Sequence, residues 1–365
     1  MKILFTYYLP SGGVDTLNRT RCRALMRAGI EAHLLYLQDG AGRQNIKDIP
    51  LFLSNLDHEI QPIIASHQYD VIMCTSDYHM LSRLRSMGYG GLLIFEAQGL
   101  GMYDQAREAM NASVPNIRSY ANAAMCTPTP HLIELYQEFL PDFPRFYVQN
   151  AVDTEVFSAH PASLPPADLG SDSDGPILAW VGRMERNKNW QLFIETAAEL
   201  VKTEPRLRLW MFEDANLYDP QERALFHQLT TTYQLWNRLT LRSNIPHEQM
   251  AHYFAAVGHS GGLLFSTSHV EGFGYAVAEA LSCHCPVLAT DSDGVRFFIE
   301  HNRTGKLIAQ HISQWAAAEA LELMQDAALR LQIREQGAQH IRQHFSPERY
   351  TQDMINVFRA LGLPL

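Results

Sequence analysis

The chain predicts an α/β protein built as two doubly wound units. Three observations carry that expectation. Residues 263–296 run strand, loop, helix, strand, loop, and residues 2–37 open with strand, loop, helix, strand. A length of 365 residues is also more than one ordinary core holds. A parallel crossover unit sets its loops at the carboxyl ends of neighbouring strands, where open α/β sheets bind ligands.

Taken in order, residues 2–8 read as a buried first strand and Pro10-Ser-Gly-Gly13 as the loop after it. A helix follows with Leu17, Leu25 and Met26 on its apolar side, then a second strand over 33–37. The loop lacks the G-x-G-x-x-G dinucleotide fingerprint, which disfavours a nicotinamide enzyme. On that helix Arg19, Arg23 and Arg27 recur every fourth residue, with Arg21 beside them. The row is either a solvated stripe or a contact for anionic lipid headgroups or a phosphorylated acceptor. Strands are expected over 71–74, 92–95, 124–127 and 146–148, with Glu96-Ala-Gln-Gly99 as a loop. Residues 160–176, rich in Pro, Ser, Asp and Gly, form the clearest linker. The expected division is a first domain over 1–158, a linker over 159–176 and a second domain over 177–347.

The second half opens with a strand over 177–181, the loop Gly182-Arg183-Met-Glu-Arg-Asn-Lys188 and a helix over 190–201. Arginine and lysine between a strand and a helix suit a diphosphate, the guanidinium as a fork and the ammonium as a mobile point charge. Further strands are expected over 208–212 and 239–241, and a helix over 246–256. A strand over 263–265 then leads to Glu271-Gly-Phe-Gly274, and a helix follows with Ala276, Ala280 and Leu281 facing inward. Gly272 and Gly274 permit close backbone approach, and the amides of 274–276 at a helix start suit a phosphate. Glu271 and Glu279, eight residues apart, can share one side of that helix. Carboxylates beside a phosphate repel it, so their partners are hydroxyl groups. The ligand inferred is a phosphate flanked by polyhydroxy groups, a sugar nucleotide. The plainer reading makes Glu279 a solvated helix residue and the glycines an ordinary loop.

The stretch E-G-F-G-Y-A-V-A-E-A-L-S-C-H-C-P-V-L-A-T, residues 271–290, resembles the E-x7-E block of the retaining family-4 glycosyltransferases of the GT-B fold. The resemblance implies two Rossmann-like domains facing a central cleft, with the last helix, about 348–365, packing back on the first domain. It implies that the block binds the donor through Glu271, Gly272, Phe273, Gly274, Tyr275 and Glu279, with Glu279 on the ribose hydroxyls and Glu271 on the transferred sugar. Arg183 and Lys188 match the two phosphate-binding cations of the family's G-R-(x)-K-G, with Asn189 where glycine is common. Gly12 and Gly13 resemble glycines bordering the cleft close to the donor, or form an ordinary tight turn. Glu96 is nearest the register where many members carry a histidine or acid reaching the sugar, with Gln98 next, and would face Glu271 across the cleft. Asn150-Ala-Val-Asp-Thr-Glu-Val-Phe157 is similar to the family's N-G-V-D-x-x-x-F segment, Ala151 standing for glycine.

The sequence departs from the family at Glu213-Asp214, at Arg242-Ser-Asn244 and at Asp291-Ser-Asp-Gly294. Arg296 is either a further cation or an ion-pair partner of Asp291 or Asp293. Asp172-Ser-Asp174 spells a D-x-D metal motif inside the linker. The activity implied is retaining, metal-independent hexosyl transfer from a nucleotide-diphosphate-sugar to a glycan, glycolipid or small hydroxyl acceptor, in polysaccharide or related glycoconjugate synthesis. Arg183, Lys188, Glu271 and Glu96 form the expected catalytic set, and no cofactor beyond the donor substrate is expected. A sugar-nucleotide 2-epimerase of the same fold and a non-catalytic sugar-nucleotide or glycan-binding module are the alternatives.

Composition bounds these readings. With 46% hydrophobic and 19% charged residues the chain is globular, and a net charge of −10 argues against general nucleic-acid binding. No apolar run approaches a membrane span and the start has no signal-peptide layout, so a cytoplasmic protein is expected, at most peripheral to the inner membrane face through Arg19, Arg23 and Arg27. Five scattered cysteines, Cys22, Cys74, Cys126, Cys283 and Cys285, fit a reducing compartment. Cys283-His284-Cys285 reads as a buried turn, since its spacing is not that of a zinc knuckle.

Overall fold

The computed structural model describes residues 1–101, 103–161, 165, 166, 169, 174–309 and 311–364. The chain divides into two compact units, Met1–Ala151 with Phe345–Leu365, and Val152–His344.

Among the described residues the first unit carries seven strands: β1 Lys2–Tyr7, β2 Glu31–Tyr36, β3 Leu51–Leu53, β4 Val71–Thr75, β5 Leu92–Ala97, β6 Ala123–Cys126 and β7 Arg145–Tyr147. All pair in parallel, in the order β3-β2-β1-β4-β5-β6-β7. β4 is buried along its whole length, as a parallel strand covered on both faces must be. Its helices are α1 Gly12–Arg27, α2 Asp57–His67, α3 Tyr78–Ser86, α4 Tyr103–Tyr120 and α5 Pro130–Phe139. Local chemistry sets their starts. Asp77 accepts from the amides of His79 and Met80 ahead of α3, and Thr129 precedes Pro130 at the first position of α5, where a missing N–H costs nothing. The final helix of the chain, α12 Pro347–Ala360, belongs to this unit through Tyr350, Met354 and Phe358, with Ser346 as its cap.

The second unit carries β8 Ile177–Val181, β9 Arg208–Glu213, β10 Leu239–Ser243, β11 Leu263–Ser266, β12 Val287–Thr290 and β13 Lys306–Ile308, parallel in the order β10-β9-β8-β11-β12-β13. Its helices are α6 Trp190–Leu200, α7 Pro220–Thr232, α8 Met250–His259, α9 Tyr275–Ser282, α10 Ser313–Gln325 and α11 Ala327–His344. The core gathers Trp180, Trp190, Phe193, Phe226 and Phe265, all at or near zero exposure.

One expectation shifts. The first unit ends at Ala151 rather than at 158, because Phe157 packs its ring against His247 and Phe254, and its carbonyl accepts from Ser282 Oγ at 2.5 Å. Of the linker 159–176, residues 162–164, 167, 168 and 170–173 lie outside the described residues, Asp172 among them.

Candidate functional site

In the second unit the strand order reverses between β8 and β11, so the chain leaves these two neighbours toward opposite sides. The carboxyl end of such a pair is where a doubly wound sheet opens a crevice. The two loops there are the one after β8, residues 182–189, and the one after β11, residues 267–274. They are stitched together. Asn187 accepts from the Val270 amide at 3.1 Å and donates to the Val270 carbonyl at 3.0 Å, and the His269 amide reaches the Asn187 carbonyl at 2.9 Å. Thr267 Oγ1 donates to the Lys188 carbonyl at 2.7 Å while accepting from Trp180 Nε1 at 2.9 Å.

That stitching brings the two families of predicted residues into contact. Lys188 Nζ lies 2.6 Å from Glu271 Oε1, which also accepts from Ser268 Oγ at 2.7 Å. Among the described residues, Glu271 Oε2 has no hydrogen-bond partner, so one oxygen is held and the other is open for a hydroxyl. Arg183 is half exposed and touches Glu185 at 3.1 Å through one nitrogen. Asn189 adopts φ +45° at the start of α6. Asparagine tolerates this left-handed conformation, so it serves where glycine is usual.

Gly274 stands just before α9 with φ +87° and makes no side-chain cap hydrogen bond of its own. The loop after β12 closes on this turn. The Gly294 amide donates to the Glu271 carbonyl at 3.0 Å, and a Cβ on Gly294 would lie 2.5 Å from that oxygen. Gly272 and Tyr275 are half-buried, whereas Phe273 is buried against Phe298 and Tyr275, so its side chain serves packing. Arg296 grips Asp291 at 2.6 and 2.9 Å, which holds that carboxyl below its ordinary range and resolves the choice for Arg296 in favour of the ion pair.

Glu279 is 5% exposed on α9 and its Oε1 meets His247 Nε2 at 2.8 Å. A solvated helix residue is thereby excluded. His247 sits in a short 3-10 turn, His247–Gln249, with the Phe157 ring 4.8 Å from its own. Sequence reasoning passed over His247, and its signal was a histidine directly after Pro246 at the carboxyl end of a strand. A second overlooked pair is His269 and His311, stacked at 4.9 Å, with Asn189 Nδ2 3.2 Å from His311 Nδ1. Burial pushes both imidazoles below their ordinary range, and His311 and Arg186 lower His269 further, so both are neutral at neutral pH.

Several first-unit expectations are corrected. Glu96 lies inside β5 and is wholly buried. Arg21 Nη1 contacts both its oxygens at 2.8 Å, Thr75 Oγ1 donates at 2.7 Å and Gln98 Nε2 at 2.9 Å, so the carboxylate is spent inside the unit and presents nothing to a sugar. Gln98 in turn accepts from Asn150 at 2.6 Å. Gly12 and Gly13 are not loop residues but the first two of α1, with Gly12 at φ +71° and open space where a Cβ would stand. The arginine row is not a free cationic stripe. Arg19 is buried against Asp15 at 2.9 Å, Arg23 is held by Asp48 at 3.0 Å, and only Arg27 of the three is exposed. Among the described residues no helix is long and apolar enough to cross a membrane. The cysteines are free and buried, and burial pushes the Cys285 thiol up to about 12, which suits a packed turn rather than a metal thiolate.

Two all-parallel sheets, each wound outward from its first strand, are the two halves of the GT-B architecture, and solved structures of that kind align along nearly the whole chain. The Anabaena protein HepE in complex with UDP-glucose aligns over 99% of this chain and 100% of its own, with a TM-score of 0.79 at 18% identity. Sucrose-phosphate synthase from Thermosynechococcus elongatus aligns over 99% and 98%, with a TM-score of 0.77 at 18% identity. Residues 165–340 match the model of the glycosyl transferases group 1. Among curated relatives, D-inositol 3-phosphate glycosyltransferase of Frankia alni is 28% identical over 49% of this chain and 44% of its own. Alpha-D-kanosaminyltransferase of Streptomyces kanamyceticus is 27% identical over 52% and 47%. The chain thus spans about half the length of the curated relatives it matches.

Proposed function

We propose that this protein is a glycosyltransferase that moves a sugar from a nucleotide-diphosphate-sugar to a hydroxyl acceptor, with retention of anomeric configuration and without a metal in the transfer step. The observation that carries the reading is the 2.6 Å contact of Lys188 with Glu271 at the point where the second sheet reverses. It sets a cation for phosphate and a carboxylate for hydroxyls side by side. In this reading Arg183, Lys188 and the amides opening α9 take the diphosphate, Glu271 Oε2 takes a sugar hydroxyl, and Glu279, held by His247, takes the ribose. The leaving diphosphate gathers negative charge as the glycosidic bond breaks, and the two cations stabilise it. Retention follows from the family likeness, with the acceptor oxygen entering on the face the diphosphate leaves. We assign the donor to the second unit and acceptor contacts to the first, and place the reaction in cytoplasmic glycoconjugate synthesis.

UDP-glucose, the ligand in the HepE complex, is the first donor to try. The test incubates the protein with UDP-, GDP- and ADP-sugars, with and without polyol and glycolipid acceptors, and follows products by NMR. The reading expects product only when acceptor is present, with the donor's anomeric configuration, and at an initial rate that EDTA leaves unchanged. Conversion of the donor alone would make the protein an epimerase, and an inverted product or loss of rate in EDTA would refute retention or metal independence.

A further inference from the structure

On the first unit, at the amino end of β2 and so at the edge opposite the carboxyl-end loops, three ligating side chains converge. Glu31 and His33 alternate along β2 and share one face. His67 is the last residue of α2, where Gln68 turns the chain with φ +52°. One ligand atom from each of the three lies within 4.8 Å of the others. Glu31 Oε1 is 3.1 Å from His33 Nε2, and the His33 and His67 rings meet edge to face at 5.0 Å.

The surroundings order these groups as a metal centre requires. His33 is buried, and its Nδ1 is 2.8 Å from Tyr69 Oη, which fixes the ring and leaves Nε2 toward Glu31 and His67. Phe52 lies 5.3 Å from His67 and 5.9 Å from His33, and Tyr69 stacks on His67 at 5.6 Å, so apolar rings wall the cluster. Lys2 Nζ is 3.3 Å from Glu31 Oε2, which leaves Oε1 facing inward. Among the described residues the His67 ring makes ring contacts but no hydrogen bond, so its nitrogens are uncommitted.

We propose that Glu31, His33 and His67 bind a divalent transition metal of the zinc class, with water completing a four-coordinate shell. Two imidazoles and one carboxylate are a donor set zinc accepts, and N and O ligands at about 2.0–2.2 Å stand roughly 3.4 Å apart in a tetrahedron. The Glu31–His33 spacing already fits, and a turn of the His67 side chain closes the rest. Without metal, His33 Nε2–H donates to Glu31 and the Tyr69 hydroxyl donates to Nδ1. With metal, the proton sits on Nδ1 and donates to Tyr69, while the Nε2 lone pair goes to the ion. The tautomer changes and no net proton is released. The ion would fasten the end of α2 to β2, a structural role separate from sugar transfer.

Metal-stripped full-length protein is titrated calorimetrically with zinc chloride, and the cobalt(II) form is examined for visible absorption. The expected result is one zinc per chain, tetrahedral cobalt bands, and a melting temperature higher by about 5 °C at saturating zinc. Glu31→Gln and His67→Ala, at surface-accessible positions, each weaken zinc binding at least about ten-fold, while exposed His58→Ala leaves it unchanged. No uptake of zinc, or uptake of equal affinity in the Glu31→Gln and His67→Ala variants, overturns the proposal.

Discussion

Lys188 and Glu271, eighty-three residues apart, meet at 2.6 Å across the two loops that flank the strand reversal of the second sheet. The pair is half-buried, so each charge moderates the other. Removing Lys188 both deprives the diphosphate of a cation and leaves an unbalanced carboxylate beside it. Lys188→Ala and Arg183→Ala are each expected to lower kcat by about 10²–10³, the scale of losing one preorganised electrostatic contact. Lys188→Ala combined with Glu271→Ala should lose less than the sum of the single losses, because the two groups act on each other. Steady-state kinetics on the preferred donor reads both.

His247 supports Glu279 without belonging to the glutamate motif. His247→Ala strands a buried carboxylate and should weaken nucleotide binding by about 1–3 kcal/mol, seen as a higher KM for donor with a smaller change in kcat. His247→Gln, which keeps a donor, should recover part of the affinity in a nucleotide titration. Equal affinity in all three proteins would show that Glu279 does not hold the ribose through this contact.

Gly294 is fixed by proximity rather than by φ. A Cβ there would lie 2.5 Å from the Glu271 carbonyl and 2.9 Å from the Phe273 amide, both backbone atoms that cannot swing aside. Gly294→Ala should therefore destabilise by about 1–3 kcal/mol and displace the Glu271 turn. Denaturant melts and donor affinity should fall together.

Arg21 and Glu96 form a wholly buried ion pair in the first unit. Arg21→Met leaves the carboxylate without its counter-charge and should cost about 3–5 kcal/mol, whereas Arg21→Met with Glu96→Leu should recover much of it. Turnover per folded molecule should survive Glu96→Gln, since this group faces the core.

Acid should destabilise the metal-free protein. His33, His269, His284 and His311 all have imidazoles lowered from 6.5 by burial. Just below that pH the unfolded chain binds more protons than the folded one, so their contribution is complete above about 6.5 and falls as pH drops through it. Scanning calorimetry from pH 7.5 to 5.5 should show the decline, and His269→Gln should flatten part of it.

Much of this was legible in the sequence because parallel strands buried on both faces read as short apolar runs. The expected strand over 177–181 coincides with β8, and that over 263–265 lies within β11. The Lys188 and Glu271 loops were legible because glycine and charge cluster there. Glu96 was misplaced because an apolar run ending in an acid reads as strand then loop, whereas here the acid stays in the strand and finds Arg21 seventy-five residues away. The arginine row failed for the same reason. Helical spacing puts Arg19 and Arg23 on one face, but only tertiary packing brings Asp48 to Arg23. The role of His247 was not legible because its partner lies thirty-two residues on, a distance no local periodicity reports.

The most direct test is nucleotide binding to the second unit's loops within the whole chain. A thermal-shift panel of UDP, GDP, ADP and their sugars should find at least one that stabilises the protein by about 2.7 kcal/mol at 100 times its dissociation constant. That shift should be largely lost in Arg183→Ala and in Lys188→Ala. No response to any nucleotide, or the same response in both variants, would contradict the account.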